Sequence, residues 1–295
     1  MKTTEFAFRL ALFALIACAV PLAAQNDPAW TTPFPAFHIA GNLYYVGSRD
    51  LASYLIGTPD GLILINSGFE ASVPLIQKSV ESLGFRFSDI KILLISHAHN
   101  DHCAGSARII RLTGAKYYVM AGDVPVVESG GKADFQYGGD ASKHYPPAHV
   151  DRVLRDENTV SLGGTVLTAH LTPGHTKGTT TWTLEEKEGG RELHVVIVGS
   201  PNVNPGYKLA GNKAYPRIAN DYKRGFAVLK RLPCDIFLGA HGSYYDLTGK
   251  YARLKAGGAN AFIDPDGYKG YVIDREQAFK AELERQLAAG KSARH

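Results

Sequence analysis

The sequence predicts an α/β fold: two β-sheets packed together, with helices outside. Three observations lead there. Short apolar runs of strand character alternate with stretches of helical spacing, which implies layered sheets and helices. The 295 residues are 45% hydrophobic and 20% charged, proportions that support a sizeable buried core and exclude a disordered chain or a coiled coil. No long polar linker, low-complexity tract or fixed-period repeat interrupts residues 30 to 260, so a single domain is expected from residue 25 to residue 295.

The elements follow in order. Leu43-Tyr44-Tyr45-Val46 and Ser53-Tyr54-Leu55-Ile56 read as short strands. Thr58-Pro59-Asp60-Gly61 is a turn signal, and Leu62-Ile63-Leu64-Ile65 after it is the third strand of an antiparallel meander. Val73, Ile76, Val80 and Leu83 recur at helical spacing from Ala71 to Leu83, and Gly84 ends that helix. The continuous apolar run from Ile92 to Ile95 suits a buried strand. Ala104 to Leu112 reads as a helix stopped by Gly114, and Lys116 to Met120 as a strand. Gly122 to Asp151 has many Gly, Asp, His and Pro residues and little periodicity, so it is expected to be a long surface loop. Strand-like runs resume at Thr159-Val160, Val166-Leu167, Thr179 to Leu184 and Leu193 to Val198. Ala219 to Arg231 and Asp274 to Ala289 read as helices.

Residues 1 to 24 read as a secretory signal peptide. Lys2 and Arg9 give a basic start, Leu10 to Val20 an apolar stretch too short for a comfortable membrane span, and Pro21-Leu22-Ala23-Ala24-Gln25 a small-residue exit. A periplasmic address is therefore expected. Leu15-Ile16-Ala17-Cys18 resembles a lipoprotein lipobox, but the residues after Cys18 stay apolar where a lipidated start turns polar. Anchoring at Cys18 is the minor alternative. The formal net charge is +4 with Lys and Arg scattered along the chain, so no nucleic-acid partner is expected. Outside the signal, Cys103 and Cys234 are expected as free thiols, since an exported domain of this size does not need a disulfide framework.

The chemistry concentrates after the buried strand, in His97-Ala98-His99-Asn100-Asp101-His102. Neutral imidazole is a good ligand for borderline cations such as zinc, and a carboxylate adds charge compensation. In extended chain His97 and His99 point the same way. As the chain turns into a helix near Ala104, Asp101 and His102 swing to a second point, a spacing that suits two metal ions better than one. Thr172-Pro173-Gly174-His175-Thr176 sets another imidazole on a fixed turn, and Gly239-Ala240-His241-Gly242 follows the apolar strand Ile236-Phe237-Leu238. Together they fit one shared site at strand ends.

These motifs, in this order, resemble the metallo-β-lactamase fold superfamily over about residues 38 to 265. The resemblance implies an αββα sandwich of two mixed β-sheets with helices on the outer faces, and metal ions at the edge between the sheets. In glyoxalase-like members the strand after P-G-H-T ends in Gly-Asp, and that Asp bridges the metals. Here Val195-Val196-Ile197-Val198 ends in Gly199-Ser200. With no carboxylate there, and with His rather than Cys completing the second site, the chain is similar to the third subclass of the metallo-β-lactamases.

The resemblance implies His97, His99 and His175 on a first zinc and Asp101, His102 and His241 on a second. It implies Asp101 as the catalytic group orienting the attacking water, and Ser200, Asn202 and Asn204 as contacts of a β-lactam substrate. It implies hydrolysis of penicillins, cephalosporins and carbapenems, conferring antibiotic resistance; a monomer is expected, though the sequence does not decide the oligomeric state. Asn100, Cys103 and Asn66-Ser67-Gly68 depart from the usual pattern without removing a ligand. His144 and His149 are candidates for the pocket mouth, and His170 for a supporting or surface place.

Rival readings are a lactonase or thiolester hydrolase of the same fold, which the absent bridging carboxylate disfavours, and a zinc-binding protein without catalysis. S-x-x-K at Ser88 to Lys91 and at Ser129 to Lys132 has neither S-D-N nor K-T-G beside it, so an acyl-serine route is not expected.

Overall fold

The computed structural model describes residues 27–257 and 260–292. The expected signal peptide and the Cys18 lipobox lie outside the described residues. Among the described residues, no helix is long and apolar enough to cross a membrane.

The first sheet runs in chain order through seven strands: β1 (Phe37–Ala40), β2 (Leu43–Tyr45), β3 (Tyr54–Thr58), β4 (Gly61–Ile65), β5 (Ile90–Leu94), β6 (Lys116–Met120) and β7 (Arg152–Leu154). The strands from β1 to β4 pair antiparallel, as the turn signals require, and those from β4 to β7 pair parallel across helical crossovers. Those connections carry α1 (Val73–Ser82), α2 (Asn100–Cys103), α3 (Ser106–Thr113) and α4 (Val124–Glu128). The second sheet has five strands: β8 (Asn158–Leu162), β9 (Thr165–Leu171), β10 (Thr180–Glu188), β11 (Arg191–Val198) and β12 (Ile236–Gly239). They pair antiparallel except for the parallel β11–β12 pair. Both sheets are therefore mixed. The later helices are α5 (Ile218–Leu229), α6 (Leu247–Lys255) and α7 (Pro265–Ser292).

Alternation along β4 divides the apolar side chains between two cores. Ile63 and Ile65 face the inter-sheet core with Trp182, Val195 and Ile197. Leu62 and Leu64 face the other side, where α1 and α3 lay Val73, Ile76, Val80 and Ile109 over the sheet. Trp182 is 1% exposed, and its indole N–H donates to Ile95 O at 3.0 Å. It thus pins the chain that leaves β5 to the second sheet.

The expected loop from Gly122 to Asp151 contains α4 and ends at β7. Their brevity hid both, since a helix of five residues shows little more than one turn of periodicity. Helix α7 begins nine residues before the expected Asp274. Gly267 and Gly270 argue against helix there, but Asp264 Oδ1 accepts the Gly267 amide at 2.9 Å, which starts the helix. Cys103 and Cys234 are free, as expected.

Candidate metal centre

The site is assembled at strand ends. After β5 the chain runs through Ser96 and His97, and His99 caps α2 with φ −89° and ψ 151°. His102 N and Cys103 N both donate to His99 O at 3.0 Å, and this single turn folds Asp101 and His102 back beside His97. Asn66, at φ +65°, holds the loop from beneath: its Oδ1 accepts Ser96 N at 2.7 Å, and its Nδ2 donates to Ala52 O at 3.1 Å. An amide can accept and donate at once, whereas an ionised carboxylate only accepts. That gives Asn66-Ser67-Gly68 a physical reason here.

His175 stands on the turn between β9 and β10. Gly174 has φ +135°, and a Cβ there would lie 2.5 Å from the Tyr222 ring, so only glycine fits. His241 follows β12.

The donors form two adjacent groups. Candidate ligand atoms of His97, His99 and His175 all lie within 4.8 Å of one another, as do those of His97, Asp101 and His102. His241 joins the latter side: His102 Nε2 to His241 Nε2 is 3.2 Å, Asp101 Oδ2 to His102 Nε2 is 3.1 Å, and Asp101 Oδ2 to His241 Nε2 is 3.6 Å. Tetrahedral ligands at zinc bond lengths stand about 3.4 Å apart, so this triad has the right edge length.

Outer partners fix the tautomers. His241 Nδ1 donates to Asp50 Oδ2 at 2.8 Å, and His175 Nδ1 donates to the carbonyl of Asn202 at 2.8 Å, which leaves both Nε2 lone pairs free. Tyr207 Oη donates to His175 O at 2.9 Å and lies 3.4 Å from His99 Nε2, whose N–H it can accept. That leaves Nδ1 of His99 as its lone pair. Such supporting bonds are the usual company of metal-ligating histidines. The donor set fits zinc: imidazole nitrogens, one carboxylate and supporting hydrogen bonds at His99, His175 and His241.

Electrostatics agree. Burial above all holds His97 and His175 well below the ordinary imidazole value, and lowers His99 to about 4. They are neutral at neutral pH, the form that ligates. Burial alone would raise Asp101, but the charge of and hydrogen bond with His102, together with His241, hold it well below the carboxylate range. For Asp50 burial is likewise outweighed, chiefly by His241 and then by Ser243, and its carboxyl falls to about 2.

A third carboxylate ties the loops together. Asp123 Oδ2 accepts Ala98 N at 2.9 Å and the Thr176 hydroxyl at 2.8 Å, while Oδ1 accepts Gly178 N at 2.8 Å. It is 1% exposed, and burial pushes it up to about 7 despite these donors.

The donors open onto a cleft of about 470 Å³. Its walls include Trp30 beside His241, with ring centroids 5.5 Å apart, and Tyr137 beside His99 at 5.2 Å. Asn202 and Asn204 line it. Ser200 does not: it is 2% exposed, and its hydroxyl lies 3.1 Å from Tyr244 Oη, so Tyr244 stands between it and the cleft. Asn202 Nδ2 also donates to Tyr244 Oη, at 2.9 Å. His144 and His149 are not among the lining residues; His144 bonds to Gly138 O, and His149 pairs with Glu128. His170 contacts Thr183 on the second sheet. Cys103 is buried, burial pushes its thiol far up, and it belongs to neither donor group. Asp50, Asp123, Tyr244 and Trp30 carried no sequence motif and were not anticipated.

A family-wide sequence profile, described as the metallo-beta-lactamase superfamily, matches residues 49–188. Among solved structures, the native FEZ-1 metallo-beta-lactamase from Legionella gormanii is 57% identical, with a TM-score of 0.86 over 87% of this chain and 98% of its own. BJP-1, a subclass B3 metallo-beta-lactamase of Bradyrhizobium japonicum, is 36% identical, with a TM-score of 0.84 over 89% and 98% of the two chains. The class B3 di-zinc metallo-beta-lactamase LRA-12, from an Alaskan soil metagenome, is 35% identical, with a TM-score of 0.84 over 88% and 98%. With this fold, these motifs and identities of this size over nearly the whole of the relatives, the chain belongs to the metallo-β-lactamase superfamily, in its B3 subclass.

Proposed function

We propose that the chain is a zinc-dependent hydrolase that opens the β-lactam ring of penicillins, cephalosporins and carbapenems. The observation that carries this is the pair of adjacent donor groups beside one cleft, which His99, His175, Asp101 and His241 line. His97, His99 and His175 would hold one zinc, and Asp101, His102 and His241 the other; all six come from one chain, which suits a monomer. When bound, the two ions would supply water activation near neutral pH and electrophilic stabilisation of developing negative charge.

The chain's own groups account for the rest. Asp101 stays ionised and can accept a hydrogen bond from the attacking water, orienting it toward the lactam carbonyl. Asp50 keeps His241 in one tautomer and Asp123 keeps the two ligand loops in register, so the site needs little reorganisation. Trp30 and Tyr137 offer apolar faces to the substrate, Asn202 and Asn204 polar ones, and Ser200 acts through Tyr244. Export by residues 1 to 24 into the periplasm would place the enzyme where cell-wall antibiotics act.

The test uses purified protein with zinc restored. Metal content is measured, and hydrolysis of nitrocefin and a carbapenem is compared with that of a lactone and a thiolester, with and without chelator. Chelator-sensitive hydrolysis of both β-lactams at two zincs per chain is expected. Turnover of the lactone or thiolester alone would overturn the reading.

A further inference from the structure

The cleft is lined by four carboxylates, Asp27, Asp50, Asp101 and Asp134, and by a single Lys or Arg side chain, that of Lys143. Lys143 ends a single 3-10 turn, Ala141–Lys143, whose cap Asp140 accepts Ser142 N at 3.0 Å. Two residues on, Tyr145 Oη donates to Ala98 O at 2.9 Å, and this fastens the segment to the ligand loop. Lys143 is half-buried, and its ammonium forms no ion pair among the described residues. Its charge reaches the site: after burial, it is one of the electrostatic contributions that lower His99.

Several of the cleft's neutral donors already have partners within the protein. Asn202 Nδ2 donates to Tyr244, Asn204 Nδ2 donates to Tyr137 at 3.0 Å, the Tyr145 hydroxyl donates to Ala98 O, and Ser200 lies behind Tyr244. An anionic substrate entering among four carboxylates meets one Lys or Arg side chain, that of Lys143.

We infer that Lys143 pairs with the substrate's carboxylate and is a specificity-determining residue for anionic substrates. This rests on the hydrolase reading for its substrate. A half-exposed ammonium–carboxylate hydrogen bond has a strength that reads as about a tenfold change in affinity.

The experiment compares Lys143→Ala and Lys143→Arg with the unsubstituted enzyme, using a cephalosporin as the free acid and as its ring-carboxylate methyl ester. Lys143→Ala is expected to raise KM for the acid about tenfold, with a smaller change in kcat, and to leave KM for the ester alone. Lys143→Arg is expected to restore the acid. An unchanged KM for the acid, or equal rises for acid and ester, overturns the inference. If the unsubstituted enzyme opens neither compound, the hydrolase reading fails by itself. Binding of acid and ester to the zinc-loaded protein, followed by tryptophan fluorescence, then decides on Lys143: a preference for the acid that Lys143→Ala abolishes sustains it, and no such preference overturns it.

Discussion

Asp50 Oδ2 accepts the Nδ1–H of His241 across 2.8 Å, though 191 residues separate the two in the chain. Asp50 Oδ1 also accepts Ser243 N at 2.8 Å, so one carboxylate fixes both the imidazole and the turn that carries it. Asp50→Ala frees the ring and its tautomer. The expected outcome is a loss of about 10- to 100-fold in affinity for one zinc of two, with the other nearly unchanged. Zinc titration with a competing chromogenic chelator measures it; equal weakening at both sites would contradict this role.

Asn66→Asp tests the hydrogen bonds beneath the ligand loop. The carboxylate still accepts Ser96 N but has no hydrogen for Ala52 O, and it brings a charge into a position that is 1% exposed. The expected cost is about 1–3 kcal/mol in denaturant unfolding. Equal stability of the two proteins would mean that a water or a shifted chain replaces the amide.

Trp182 separates packing from hydrogen bonding. Trp182→Phe keeps most of the ring but leaves Ile95 O without its donor, an expected loss of about 1–3 kcal/mol. Trp182→Ala also empties the space between the sheets, an expected loss of about 3–5 kcal/mol. If Phe costs as much as Ala, the hydrogen bond outweighs the packing.

The pH dependence of zinc uptake has a definite sign. A histidine in water competes with protons from about pH 6.5 downward. His99 is lowered to about 4, with His97 and His175 lowered as well, so in the folded metal-free protein protons compete only at more acid pH. Zinc affinity of this triad is therefore expected to stay flat from pH 7 to about 5. The same shifts make the metal-free fold lose stability as pH falls from about 6.5, since the unfolded chain then binds the protons that the buried imidazoles refuse. Asp123, pushed up to about 7, works in the opposite sense between about pH 4 and 7 and weakens the slope. Affinity falling tenfold per pH unit from 6.5 would show that the imidazoles are solvated.

What the sequence made legible was local. His97, His99, Asp101 and His102 announce themselves because six consecutive residues hold them, and His175 and His241 because each follows a strand with a glycine close by. The β-strands were legible where apolar runs are continuous, as in β4 and β5, and β7 was hidden because Arg152 and Val153 are exposed. Asp50, Asp123 and Tyr244 were invisible for a different reason. Each is an ordinary residue in its own stretch and matters only through partners brought near by the packing of two sheets. Ser200 was named because of the resemblance to the third subclass, but its direction, toward Tyr244, is set by a turn that no motif encodes.

The His102–His241 contact has a consequence for how the molecule is made. The two residues lie 139 positions apart, one after a strand of the first sheet and one after a strand of the second. The pair exists only when both sheets are formed and docked, so a metal ion held at that point would be captured only after docking. Such an ion would act as a removable staple around a large loop, where a permanent cross-link of comparable span is worth about 4–5 kcal/mol. A chain that closed so large a loop with an ion, rather than with Cys103 and Cys234, would leave that step to the metal supply around it.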